Sequence, residues 1–187
     1  MMMTPRWKLP VTLAVAVWLL CASTASAAPL TFSFSLLPGS AISGDAGSTI
    51  GWGYTITNDS DSWLEIFSLN ADPFQYATPD SSIFDFPILA PGATATVLYN
   101  AATFAGLFQL TWDLTAPAGF TNVGQFALLG QFYDGDPFAG GTALDAMFEQ
   151  TASYSATVNP VPEPGTLLLL GSGAAGLLMR RRRARQA

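Results

Sequence analysis

Short runs in which apolar and polar residues alternate dominate the middle of the chain. In the run over 49–57 every second residue is large and apolar, namely Ile50, Trp52, Tyr54 and Ile56. A period of two places these side chains on one face of a β-strand. Gly, Pro, Asn and Asp, which favour turns, separate such runs. The pattern therefore predicts strands rather than helices.

The same reasoning gives an expected order of elements. It predicts strands over 31–36, 49–57, 63–69, 93–99, 106–113, 124–133 and 152–158. It predicts a long loop over 70–85 and one turn of helix over 144–149. About seven to eight strands with frequent turns are typical of an all-β sandwich. Residues 28–160 are expected to form this single domain.

Charge divides the chain into three segments. All seven Lys and Arg residues lie within the first 27 or the last 27 residues, and of the 13 acidic residues only Glu163 lies there. The middle segment thus holds twelve carboxylates and no basic side chain. Nucleic-acid binding depends on cations that neutralise phosphates, so the sequence argues against it. Divalent cations and neutral polysaccharides remain possible partners.

The residue types also limit catalysis. The chain has no His, and its one Cys, Cys21, lies in the N-terminal segment. Ser-His and Cys-His nucleophile pairs are therefore excluded from the middle domain, as are His and Cys metal sites. A pair of carboxylates able to hydrolyse a glycoside remains an open alternative. The sequence favours a protein that is not an enzyme and has no cofactor, calcium apart.

Residues 1–27 have the three parts of an export signal. Arg6 and Lys8 precede an apolar run over 9–21, and small residues follow, ending in Ala25-Ser26-Ala27. Ala25 and Ala27 match the small-residue pattern that signal peptidase reads, which predicts cleavage after Ala27. An uncleaved anchor is the alternative. The apolar run is short for a membrane span.

Residues 161–187 also contain three parts in series. Pro162 and Pro164 bracket Glu163 and favour an extended backbone. An apolar run over 167–179 follows, and predicts a short transmembrane helix. The block Arg180, Arg181, Arg182 and Arg183 then predicts a cytoplasmic end for the tail. A plain tail anchor is the alternative.

This order of Pro-Glu-Pro, short apolar helix and Arg cluster resembles the PEP-CTERM sorting signal of Gram-negative bacteria. The resemblance implies that exosortase, a cysteine protease of the inner membrane, recognises Pro162, Glu163 and Pro164 and processes the tail. It implies a membrane-anchored precursor that later reaches the cell surface or the medium. It also implies a link to exopolysaccharide and biofilm. The runs over 47–58 and 89–96 resemble bacterial immunoglobulin-like modules.

Two acidic turns are candidate calcium sites. Asn58, Asp59 and Asp61 cluster in one turn, and Asp134 and Asp136 cluster in another. Oxygen ligands at alternate positions suit Ca²⁺, and the two turns could share an ion if they lay at the same end of the sandwich. The alternative is that these residues form turns. A calcium-dependent carbohydrate-binding module is accordingly the second functional hypothesis, after a non-catalytic surface or matrix protein, and a carboxylate-based glycosidase is the third.

The aromatic residues of the strands have two interpretations. They could form a platform on which sugars stack, or they could fill the core, which is more usual for alternating strands. The residues in question are Trp52, Tyr54, Trp63, Tyr99, Trp112, Phe126 and Phe132.

Overall fold

The computed structural model of the chain describes residues 29–160, apart from the side chains of Asp145 and Ala146. The predicted export signal over 1–27 and the predicted transmembrane helix over 167–179 lie outside this range. No helix within residues 29–160 is long and apolar enough to cross a membrane. The described range corresponds to the predicted exported domain.

The described residues form ten strands and one short 3₁₀ helix. The strands are β1 (Phe32–Leu37), β2 (Ala41–Gly44), β3 (Thr49–Asn58), β4 (Trp63–Ala71), β5 (Ala77–Asp80), β6 (Ile88–Leu89), β7 (Thr94–Val97), β8 (Phe108–Trp112), β9 (Thr121–Tyr133) and β10 (Ala143–Val158). The 3₁₀ helix spans Pro137–Ala139, between β9 and β10. The domain is therefore all-β, as the alternating pattern predicts.

The strands form two five-stranded sheets. The first has the order β1-β3-β8-β5, and β7 also pairs with β3. The second has the order β2-β10-β9-β4-β6. All pairs are antiparallel except β2 with β10, which are parallel. The long strands β9 and β10 pair over most of their length and form the centre of the second sheet.

An aromatic core lies between the sheets. Trp52 from the first sheet packs against Phe126 from the second, with ring centroids 5.1 Å apart. Phe108 also lies 5.1 Å from Phe126. Burying such large side chains is the main favourable contribution to folding in a domain with no disulfide. The sheets therefore form a sandwich.

Strand register assigns the loops to two ends of the sandwich. Trp63, which follows the turn over 59–62, lies opposite Tyr133, which precedes the loop over 134–142. We call this the Asp134 end. Val158 lies opposite Gly44 in β2, and Trp112 donates its backbone N–H to Ser48. The turn over 45–48, the loop over 113–120 and Asn159 therefore share the other end, which we call the Asn159 end.

The strand predictions are confirmed where alternation is strong, and several others are wrong. All seven predicted strands overlap observed ones, among them β3 and β9. The predicted helical turn over 144–149 is instead the first half of β10, because pairing with β9 overrides local helix preference. The predicted loop over 70–85 contains β5, which pairs with β8. Two further short strands, β2 and β6, have no counterpart among the predicted elements.

Candidate functional site

An aromatic pair lies on the outer face of the second sheet. Trp63 in β4 is directly opposite Tyr133 in β9, and Glu65 is opposite Gln131. Alternation directs these four side chains outward, because their neighbours Leu64, Ile66 and Phe132 are buried. All four are partly exposed. We call Trp63, Glu65, Gln131 and Tyr133 the aromatic–acidic surface.

A hydrogen bond links two members of this surface. The Tyr133 hydroxyl donates to Oε2 of Glu65 at 2.6 Å. This bond raises the pKa of Tyr133 above its ordinary value, and burial and the negative charge of Glu65 act in the same direction. The side-chain nitrogen of Gln131 donates to the Phe132 carbonyl at 3.1 Å. Both polar side chains are therefore held in defined positions beside the two aromatic rings.

The sequence pattern indicates only part of this surface. It makes Trp63 a candidate stacking residue, but it does not single out Glu65, Gln131 or Tyr133. The alternation of Trp63 and Glu65 with buried Leu64 and Ile66 is the available signal. The pairing of Trp63 with Tyr133, 70 residues further along the chain, depends on the register between β4 and β9. A single sequence does not supply that register.

The two acidic turns lie at the same end of the sandwich, as the calcium hypothesis requires. Asn58, however, is fully buried. Its side-chain nitrogen donates to the carbonyls of Ser62, Leu89 and Ala90 at 2.7, 3.2 and 3.0 Å. Its side-chain oxygen accepts from the backbone N–H and the hydroxyl of Ser60. In this arrangement Asn58 organises the turn and faces away from solvent.

The acidic residues of these turns have separate surroundings. Asp59 and Asp61 are exposed. Asp134 accepts from the backbone N–H of Thr142 at 2.6 Å, and Asp136 accepts from that of Phe138 at 2.9 Å, which caps the 3₁₀ helix. Within the described residues no group of three or more acidic, His or Cys side chains is placed to hold a metal. Calcium binding stays a prediction.

A cleft of about 280 Å³ lies where β4 ends and β5 begins. Phe74 forms part of its wall and stacks between Phe108 and Tyr154, at centroid distances of 5.4 and 4.8 Å. The lining contains one carboxylate, Asp72, which accepts from the backbone N–H of Gln125 at 2.8 Å. Glycoside hydrolysis ordinarily uses two carboxyl groups, and the lining of this cleft supplies one.

Burial also affects the tyrosine behind this cleft. The Tyr154 hydroxyl donates to the carbonyl of Asp72 at 3.0 Å. Burial raises the pKa of Tyr154 to about 12, and the nearby charge of Asp72 adds to the effect. Tyr154 therefore remains protonated under physiological conditions and acts as a hydrogen-bond donor.

Most of the aromatic residues considered for a sugar platform are core residues. Five of the seven are fully buried, namely Trp52, Tyr54, Trp112, Phe126 and Phe132. Trp63 and Tyr99 are only partly buried. Trp63 is therefore the member of that set which reaches the aromatic–acidic surface.

Comparison with known families places a sorting signal directly after the sandwich. Residues 160–183 match the model of the PEP-CTERM protein-sorting motif. The chain carries a PEP-CTERM motif. Such a motif implies export and sorting to the cell surface in Gram-negative bacteria, with exosortase as the processing enzyme. The predicted recognition residues Pro162, Glu163 and Pro164 lie within the match, as do Arg180 to Arg183. All of these residues lie outside the residues that the structure describes, and so do the predicted signal-peptidase residues Ala25 and Ala27.

Two further comparisons concern the whole chain. No curated protein matches its sequence. A solved structure, the native alpha-2-macroglobulin of Escherichia coli from domain MG7 to the C-terminus, is similar at 20% sequence identity with a TM-score of 0.37. That similarity covers 72% of this chain and 17% of the other chain. The present chain thus spans about a sixth of that structure.

Proposed function

We propose that the PEP-CTERM sandwich is a non-catalytic surface or matrix protein that contacts exopolysaccharide through its aromatic–acidic surface. The observation that carries this proposal is the outward-facing pair of Trp63 and Tyr133, which lies beside Glu65 and Gln131. Aromatic rings offer apolar faces to the C–H groups of sugar rings, and the carboxylate and amide can bond to hydroxyl groups.

The charge of the domain favours neutral over anionic polymers. Residues 28–160 contain twelve carboxylates and no Lys, Arg or His. An anionic polysaccharide would be repelled at moderate ionic strength, whereas a neutral one would not. We therefore expect binding to a neutral polysaccharide to depend only weakly on salt.

Affinity electrophoresis through gels that contain the producing cells' exopolysaccharide tests this proposal. We expect Trp63→Ala and Tyr133→Ala to lose at least threefold in affinity. Phe104→Ala is the matched control, because Phe104 is a 70% exposed aromatic residue on the loop between β7 and β8 of the other sheet. Equal retardation of the parent and all three variants would contradict the assigned surface.

A calcium-dependent carbohydrate-binding module is the second candidate. It is favoured by the position of Asp59, Asp61, Asp134 and Asp136 at the Asp134 end, where β4 begins with Trp63. A calcium titration followed by thermal melting separates the two candidates. A rise in melting temperature, together with loss of polysaccharide binding in a chelator, would favour the module. Binding unchanged by the chelator would favour the calcium-independent surface.

The proposal that the protein is non-catalytic has its own test. It is supported by the lack of His and by the single carboxylate in the cleft lining. We expect no release of reducing ends when the protein is incubated with the exopolysaccharide. Hydrolysis that persists in Asp134→Asn and Asp136→Asn but is lost in Asp72→Asn would instead assign a glycosidase to the cleft.

A further inference from the structure

The sandwich is anchored up to Asn159, one residue before the PEP-CTERM match begins. The backbone N–H of Asn159 donates to Gly44 at 2.8 Å, and its side-chain nitrogen donates to the Asp45 carboxylate at 2.9 Å. The backbone N–H of Val158 donates to the Phe120 carbonyl at 2.8 Å, and the Val158 carbonyl accepts from the backbone N–H of Gly119 at 2.9 Å. The last strand is therefore bonded on both sides until it leaves the sandwich.

This anchoring places the recognition residues close to the folded domain. Pro162 follows Asn159 by three residues, which span at most about 11 Å of extended chain. The apolar run begins at Leu167, three residues after Pro164. An enzyme that binds Pro162-Glu163-Pro164 at the membrane surface therefore approaches the Asn159 end within contact distance.

The surface at this end suits contact with another protein. The loop over 113–120 carries one charged residue, Asp113 at its start, and it lies against Val158, the last residue of β10. Leu114 in this loop is 86% exposed. Tyr76, which is 46% exposed, packs edge-on against Phe120 of the same loop with ring centroids 4.9 Å apart. The residue before Leu114, Asp113, donates its backbone N–H to the Tyr76 carbonyl at 2.8 Å, so Leu114 and this aromatic pair belong to the same end of the sandwich. Exposed apolar residues grouped at one end of a domain mark an interface.

We propose that the apolar patch of Tyr76, Leu114 and Phe120 docks on exosortase while the enzyme holds the PEP-CTERM motif. This inference rests on the sorting role of the motif and adds a second recognition surface to it. The partner is a protein rather than the lipid bilayer, because a domain with twelve carboxylates and no cation is repelled by anionic lipid headgroups. Docking would fix the short connecting segment and present the motif in one orientation.

The rate of tail processing in cells that contain exosortase provides the first test. In the full-length chain, Leu114→Glu is expected to slow conversion of precursor to processed protein at least threefold. Phe138→Glu is the matched control, because Phe138 is 88% exposed and lies at the Asp134 end. It should be processed at the parental rate. Parental rates for both variants would overturn the proposal.

Thiol labelling provides the second test, and it separates an enzyme contact from a lipid contact. Because Cys21 lies in the predicted signal peptide, Leu114→Cys creates the one thiol of the predicted exported domain. We expect this thiol to be protected from a membrane-impermeant maleimide when an inactive exosortase holds the precursor, and labelled when exosortase is absent. Protection without exosortase would indicate the bilayer and overturn the proposal. Phe138→Cys should be labelled in both strains.

A triple variant distinguishes failure of docking from failure of sorting. Replacement of Pro162, Glu163 and Pro164 by Ala should abolish processing while the sandwich remains intact. If this variant were processed normally, the sorting role itself would be wrong. If it were blocked while Leu114→Glu was processed at the parental rate and Leu114→Cys was labelled equally in both strains, only the docking surface would be rejected.

Discussion

Asn58 joins two parts of the chain that lie 31 residues apart. Its amide connects the end of β3 to the carbonyl of Leu89 in β6, and it also bonds within its own turn. The sequence places Asn58 in a turn with acidic neighbours, which makes it a candidate ion ligand as well as a turn-forming residue. Its inward direction follows from partners at Leu89 and Ala90, which local sequence does not reveal. A buried amide whose two N–H groups lie within hydrogen-bond distance of three carbonyls is a structural element rather than a surface ligand.

Replacement of this amide tests the structural role. Asn58→Asp is expected to lower the free energy of unfolding by about 3 kcal/mol or more, because a carboxylate cannot donate to three buried carbonyls. Asp59→Asn at the exposed neighbouring position should change it by less than about 0.5 kcal/mol. Urea denaturation of both variants, with and without calcium, measures the effects. An Asn58→Asp variant that is stabilised by calcium would instead support an ion ligand at this position.

At the scale of elements, the first sheet depends on a close crossing over β3. β7 pairs with β3 from Tyr54 to Thr57, and β8 pairs with it from Thr49 to Trp52. Between these strands the chain passes over Gly53, where an added Cβ would lie 2.8 Å from the Tyr99 nitrogen and 2.9 Å from the Leu98 Cα. Gly53 lies between the buried residues Trp52 and Tyr54. One face of β3 therefore fills the core, while the other face leaves room for the backbone of Leu98 and Tyr99 to pack against Gly53.

A methyl group at this crossing should be costly. Gly53→Ala is expected to destabilise the domain by about 2 kcal/mol or more, because backbone atoms rather than flexible side chains would have to move. Gly39→Ala is the matched control, since nothing lies within 4 Å of a Cβ at that position. Equal melting temperatures for the two variants would show that the loop after β7 moves aside at little cost.

The unpredicted elements share a physical cause. β2 contains one large apolar residue, Ile42, and its parallel partner β10 lies more than a hundred residues further along the chain. β5 contains Pro79 and pairs only with β8, as suits an edge strand. Such strands are specified by their neighbours rather than by their own pattern. Strong alternation, as in β3, is sufficient to predict which face of a strand lies in the core. The short edge strands and the aromatic–acidic surface can be predicted only when the pairing register between distant strands is known.

At the scale of the whole molecule, several carboxylates within residues 29–160 accept hydrogen bonds from neutral donors. Tyr54 donates its hydroxyl to Asp85, Tyr133 donates to Glu65, and the Gln109 amide donates to Asp80 at 2.8 Å. Other carboxylates accept from backbone N–H groups and from the Asn159 amide. The domain thus keeps a strongly negative surface while these carboxylates accept bonds from neutral donors. Stability of the tyrosine bonds depends on the tyrosines remaining protonated.

That dependence predicts alkaline unfolding with an unusually simple origin. Between residues 28 and 160 tyrosine is the only side-chain type with an ordinary pKa near 10, because this segment lacks Lys and Cys. Burial and the bond to Asp85 raise the pKa of Tyr54, burial raises that of Tyr99, and the pKa of Tyr154 is raised to about 12. A pKa that is higher in the folded than in the unfolded state gives stability that is complete below pH 10. It is lost progressively as the pH rises through the folded value.

Thermal melting of a fragment over residues 28–160 from pH 8 to pH 12 checks this prediction. We expect a constant melting temperature up to about pH 9.5 and a steep fall above pH 10. Between pH 10 and pH 12 the free energy of unfolding of Tyr154→Phe should fall by about 1 to 2 kcal/mol less than that of the parent, after allowance for solvent screening. Tyr154→Phe is expected to be less stable than the parent at pH 8, because the bond to the Asp72 carbonyl is gone, so the slopes rather than the absolute values are compared. Parallel curves for parent and variant would place the alkaline transition on other tyrosines and would contradict the role assigned to Tyr154.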